Sequence, residues 1–135
     1  MQSDSVKMFI GKVLVFCVLL VALSEAITLN KPFRGHFTYY NGPAKGACGE
    51  YLDASRDMAV AVSREWFTRQ NPNNDPICNY CVRVDYKGKS IKLPINNMCG
   101  GCPKNHMDLT FPAFKALEDP VVGDAHGATF TFVNC

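Results

Sequence analysis

The cysteines of this chain, together with an export signal, constrain its fold more than any other feature. Lys7 and Lys12 lead into an unbroken apolar run of eleven residues, Val13 to Leu23, and Ser24-Glu25-Ala26 then sets small residues at the −3 and −1 positions of a cleavage site. This is the three-part pattern of a secretory signal peptide, removed after Ala26. A membrane anchor is the rival reading, but such a run rises only about 16 Å as a helix against roughly 30 Å of hydrocarbon. Of seven cysteines, Cys17 leaves with the leader and six remain: Cys48, Cys78, Cys81, Cys99, Cys102 and Cys135. An even number in a short exported chain reads as a disulfide framework. Cys78-x2-Cys81 and Cys99-x2-Cys102, with 17 residues between the pairs, also fit a four-cysteine zinc site. Export argues against zinc, as do the two cysteines that zinc would leave unassigned. Spacing alone leaves all fifteen possible pairings of six cysteines open.

Residues 27–135 suffice for one domain with a modest core. The leader's bases (Lys7, Lys12) and acids (Asp4, Glu25) cancel, so the exported chain keeps the formal net charge of +2. Lysines and arginines are scattered without a basic block, which argues against nucleic acid as a partner. A secreted, extracellular monomer is expected, with no membrane contact after leader removal, no cofactor and no metal.

Most of the exported sequence reads as short strands between turns. Gly35 to Tyr40 is an aromatic, Thr-containing run that stops at Asn41-Gly42-Pro43. Met58 to Val62 is a second short run. From Cys81 to Tyr86, Val82, Val84 and Tyr86 alternate with Arg83 and Asp85; after a turn at Lys87-Gly88-Lys89, Ile91, Leu93 and Ile95 resume the period of two. Thr129 to Val133 closes the chain with Phe130 and Phe132 on one side. Ser63 can cap a short turn through Phe67, and Thr110 can cap a helix through Leu117 with Pro112 in its first turn. Phe114 and Leu117 then face the core. Asn71-Pro72-Asn73-Asn74-Asp75-Pro76 is expected to be a rigid, irregular surface loop. Five or six short strands in about 100 residues point to a closed barrel or a sandwich.

Cys99-Gly100-Gly101-Cys102, followed by His106-Met107-Asp108-Leu109-Thr110 and Ala113-Phe114, resembles the signature of the double-psi β-barrels, a superfamily of expansins, barwin-like proteins and rare-lipoprotein-A-like domains. Tyr39-Tyr40 and Ala47-Cys48-Gly49 fit it too. Within it, the small secreted papain inhibitors of filamentous bacteria look most similar. The matching segments are Thr38-Tyr39-Tyr40, Gly46 to Gly49, Asp53-Ala54-Ser55, Trp66-Phe67-Thr68, the 71–76 string and His106 to Leu109. The resemblance runs from about Gly35 to Cys135, so with the signal peptide at 1–26 it accounts for nearly all of one domain at 27–135. That domain is a mainly β, six-stranded double-psi barrel with one or two short helices. It also implies the pairs Cys48–Cys78 and Cys81–Cys135, leaving Cys99–Cys102. Loop-closure estimates for the three are about 3.7, 4.2 and 1.9 kcal/mol.

Chemistry narrows the function. Glycoside hydrolysis usually requires two carboxylates. Asp108 matches the acidic position of expansin-like grooves, but its usual partner, eleven residues earlier, is Asn97 here. An amide accepts no proton at neutral pH, so the pair is broken. Asp108 has a structural alternative, bonding backbone N–H groups ahead of the helix, and His106 reads more readily as a locally bonded residue than as a base. His36 and His126 are less informative still. Paired cysteines leave no thiol nucleophile. Tyr39, Tyr40, Tyr51, Trp66 and Phe67 either line a groove or fill the core, and alternation sets Thr38 and Tyr40 opposite Phe37 and Tyr39. The resemblance implies a non-enzymatic inhibitor whose partner is a papain-like cysteine protease, with polysaccharide as the rival partner of an expansin-like binding protein. Candidate contacts are Thr38, Tyr39, Tyr40, Trp66, Asn71, Asn73, Asn74, Asn97, His106 and Asp108, with the Cys99–Cys102 loop beside them.

Overall fold

A computed structural model describes residues 27–135; the leader and Cys17 lie outside the described residues. Among the described residues eight strands follow one another: β1 (Phe33–Tyr40), β2 (Pro43–Lys45), β3 (Tyr51–Asp53), β4 (Val60–Ser63), β5 (Tyr80–Tyr86), β6 (Lys89–Cys99), β7 (His106–Thr110) and β8 (Ala125–Asn134), with one α-helix, α1 (Phe111–Leu117), before the last. Six of them close a barrel in the order β1-β7-β4-β6-β5-β8, while β2 and β3 form a separate hairpin. Two pairings are parallel, β1 with β7 and β4 with β6; the remaining barrel pairs are antiparallel.

Strand alternation builds the interior as the sequence pattern requires. Val82, Val84 and Tyr86 point inward from β5, Leu93 and Ile95 from β6, and Phe130 and Phe132 from β8, while Arg83 stays in water. Lys87 and Gly88 both take positive φ (45° and 77°), so two residues turn the β5–β6 hairpin with the twist its strands need. Phe114 and Leu117 of α1 are buried against Phe37 and its neighbours. The disulfides are Cys48–Cys78, Cys81–Cys135 and Cys99–Cys102. Gly35 is needed where it stands: a Cβ there would collide with the Asn105 carbonyl and the Phe130 ring. The β1–β8 register shifts between Gly35 and His36, and the Asn105 carbonyl accepts the His36 N–H at 3.1 Å.

Two local expectations are corrected. The 71–76 segment is not irregular: it forms two consecutive 3₁₀ turns, Pro72–Asn74 and Pro76–Asn79, capped by the side chains of Asn71 and Asp75. Asp75 is buried rather than superficial, and its carboxylate accepts the N–H groups of Thr68 (2.7 Å), Arg69 (2.8 Å) and Ile77 (3.1 Å). Thr110 precedes α1 without a side-chain cap. Its hydroxyl bonds the Ala59 N–H and carbonyl instead, tying β7 to the start of β4, where a buried donor and acceptor need partners.

Candidate functional site

The outward residues of four neighbouring strands form one row. Thr38 of β1 lies beside Asp108 of β7, Asp108 opposite Ala61 of β4, and Ala61 beside Asn97 of β6. Phe37, Met107, Leu109 and Val60 fill the barrel beneath it. His106 Nε2 lies 2.7 Å from the Thr38 hydroxyl, which donates to Asp108 Oδ1 at 2.9 Å. A hydroxyl has one proton, so His106 Nε2–H is the donor to Thr38 and the three groups form a directed chain. Burial holds the Asp108 carboxyl above its ordinary value, against the Thr38 hydrogen bond and His106. Burial and then the charge of His36 push the His106 imidazole down, which keeps it neutral at pH 7.

Asn97 sits at the far end of this row. Its Oδ1 accepts both the Ala47 and the Met98 N–H at 2.9 Å, and the Cys48 N–H bonds the Asn96 carbonyl at 3.1 Å. The 46–48 segment is thereby fastened along β6, so closely that a Cβ at Gly46 would run into Asn96. Tyr40 packs on a small cluster of Leu52, Ala54 and Ala59. Burial raises its phenol, the Asn97 amide opposing that rise and the Asp108 charge adding to it.

Thr38, His106 and Asp108 therefore converge, with Tyr40 and Asn97 on the same sheet face. The others are dispersed. Tyr39 turns inward onto Phe111 and Phe114. Trp66 packs on Phe33 and Phe132, donates its indole N–H to the Lys104 carbonyl at 2.9 Å and lines a separate cavity of about 250 Å³ with Thr28, Lys31 and Pro32. Asn71 caps its own turn, Asn74 is exposed, and Asn73 lines a polar cavity of about 430 Å³ with Glu50, Tyr51, Asp57, Met58 and Asn96. Asp108 makes no bond to the start of α1. Its carboxylate faces Thr38, because β7 alternation aims it along the sheet before the helix begins.

Residues 33–129 match the family model described as lytic transglycolase, a double-psi β-barrel. The chain belongs to this family. This double-psi barrel is 39% identical over 111 residues to the "Papain inhibitor" of Streptomyces mobaraensis, covering 82% of this chain and 78% of that protein. It superposes on a Streptomyces papain inhibitor structure with a TM-score of 0.78 and 38% identity, covering 80% of this chain and 99% of the other. It is also similar to a Clavibacter michiganensis expansin variant in complex with cellohexaose, with a TM-score of 0.63 and 25% identity over 77% of this chain and 51% of that one.

Sequence reasoning left Tyr51 undecided between groove and core, and it passed over Met58 as a surface residue and the pairing of His36 with His126. Tyr51 and Met58, 74% and 43% exposed, are large apolar side chains beside the 430 Å³ cavity. Met58 had the look of a strand residue, but β4 begins only at Val60. His36 and His126, uninformative singly, stack face to face with ring centroids 4.8 Å apart. Only the register of β1 against β8 brings them together, and no local signal announces it.

Proposed function

We propose that this protein acts outside the cell as an inhibitor of papain-like cysteine proteases. The observation that carries this reading is its likeness to the Streptomyces papain inhibitor, which spans nearly all of that inhibitor's structure. The geometry supports it with a stiff rim. The turns of residues 71–79 hold Pro72 and Pro76, are capped by Asn71 and Asp75, and are bridged to the 46–49 segment by Cys48–Cys78. A loop ordered before docking loses little entropy on docking. Asn73, Asn74, Tyr51 and Met58 are the contacts we assign, the last two as apolar anchors. Titration of papain with the purified, disulfide-intact protein should abolish peptidase activity with saturable inhibition; undiminished activity at micromolar inhibitor refutes the reading.

A second reading, binding of polysaccharide along the Thr38–Asp108–Asn97 row, is favoured by the expansin neighbour in complex with cellohexaose. Depletion from solution by insoluble cellulose, abolished in Asp108→Asn, is its expected mark. Depletion with papain untouched would favour this reading over the first.

A further inference from the structure

We propose that His36, Asp124 and His126 form a binding site for one divalent transition-metal ion of the zinc class, apart from the rim assigned to the protease. Two strands and the residue before one of them supply the ligands. His36 comes from β1 just after its bulge, His126 lies directly opposite it in the register with β8, and Asp124 immediately precedes β8. His36 Nδ1 is 2.7 Å from Asp124 Oδ1, and His126 Nε2 is 3.2 Å from Asp124 Oδ2. Both imidazoles thus present a nitrogen to the same carboxylate, and the three ligand atoms lie within 4.8 Å of one another. Tetrahedral zinc, with bonds near 2.0–2.1 Å, places its ligand atoms about 3.3 Å apart. No pair of these atoms therefore has to close by more than about 1.5 Å.

The more exposed partners can make that movement. The side chains of His126 and Asp124 are 71% and 45% exposed, whereas His36 is 21% exposed and held between the rings of His106 and His126. Gly123 and Gly127, both at positive φ, bracket the Asp124–His126 segment and leave its ends conformationally free. Nitrogen and carboxylate donors select zinc-like ions over magnesium or calcium, which take oxygen ligands. On binding, the ion takes the place of the proton between each imidazole nitrogen and the carboxylate; a neutral ring then carries its single proton on the other nitrogen, and a doubly protonated ring gives up one proton to solvent. Three protein ligands leave a coordination position open, the arrangement of an exchangeable rather than a sealed structural site. His106 stands outside the set because its Nε2 is engaged by Thr38.

Calorimetric titration of the tag-free, disulfide-intact protein with zinc chloride at pH 7.5 tests this. One ion should bind per chain, and His126→Ala and Asp124→Asn should each weaken binding by at least about tenfold, the scale known even for partners that only support metal ligands. In parallel, zinc should shift the imidazole NMR signals of His36 and His126 in the unmodified protein. Absence of saturable binding overturns the site. So does zinc affinity that survives His126→Ala, or binding that leaves both imidazole signals in place.

Discussion

Replacing Asp75 with alanine tests whether one buried carboxylate organises the 64–79 segment. Three backbone donors converge on it, Thr68 N–H and Arg69 N–H on Oδ2 and Ile77 N–H on Oδ1. A hydrogen bond to a charged group is worth about 1.5–3 kcal/mol net, so loss of all three sets a ceiling of about 4.5–9 kcal/mol. Thr68 and Arg69 are exposed and their N–H groups can turn to water; Ile77, 2% exposed, keeps a donor that water does not reach. The expected cost is therefore about 3–5 kcal/mol, or a fall in Tm of about 12–20 °C for a domain of this size. Asp75→Asn should do little better, because its amide nitrogen must face either the Thr68–Arg69 pair or Ile77, donor against donor. Differential scanning calorimetry, with the disulfides verified by intact mass, measures both variants. A Tm within about 3 °C of the unmodified protein for Asp75→Ala would refute the view that this carboxylate holds the segment.

Further consequences can be read with standard methods. The Lys87 ammonium, helped by the Tyr86 hydroxyl and the Asp119 N–H, holds the Glu118 carboxyl at about 2 against an ordinary 4.5. A depressed carboxyl stabilises the fold above its unfolded value and ceases to do so as pH falls through the folded one. Glu118→Gln should accordingly flatten the loss of stability between pH 4.5 and about 2 in acid-unfolding curves, and an unchanged acid limb would contradict this. Thr38→Val removes the hydrogen bond that opposes burial at Asp108, so that carboxyl should titrate higher still by carbon-13 NMR; a lower titration point would show that Thr38 does not support the charged form. Opening Cys81–Cys135 by a double Ser substitution should destabilise the barrel to urea by about 4 kcal/mol, against about 2 kcal/mol for Cys99–Cys102; the reverse order would argue against loop closure as their main contribution.

What the sequence disclosed, and what it did not, follows the range of the interactions involved. The β5–β6 hairpin was legible because its signal is local: alternation through Tyr86, a turn within Lys87-Gly88-Lys89, alternation again from Ile91. The helix through Leu117 was legible for the same reason, and its inward residues were read correctly. The pairing of Cys48 with Cys78 was not legible from spacing and entered through the family resemblance. Asp75 was read as part of a surface loop because its three donors lie two to seven residues away, in a turn whose closing geometry no period reveals. Thr110 looked like a cap because it precedes a helix, yet Ala59, 51 residues earlier in sequence, claims its hydroxyl. At the site, Asp108 and His106 were visible as a motif. Thr38 as the hydroxyl between them depends on parallel pairing across 70 residues.

Those same long-range contacts bear on why a sheet face with an acidic residue need not be hydrolytic. Proton transfer at both faces of a glycosidic bond usually asks for two carboxyl groups, and the row from Thr38 to Asn97 contains one. The residue opposite is not a carboxylate waiting to be restored. Asn97 Oδ1 already accepts two N–H groups, and one of them, from Ala47, fastens the 46–48 segment to the barrel wall. That segment carries Cys48, whose partner Cys78 lies in the capped turns of the same rim. Asn97 thus belongs to the mechanics of the rim, in series with Asp75, rather than to an acid–base pair. Holding the rim still is what a protein needs if it works by fitting into a protease's cleft, since its affinity depends on how little order remains to be imposed at docking.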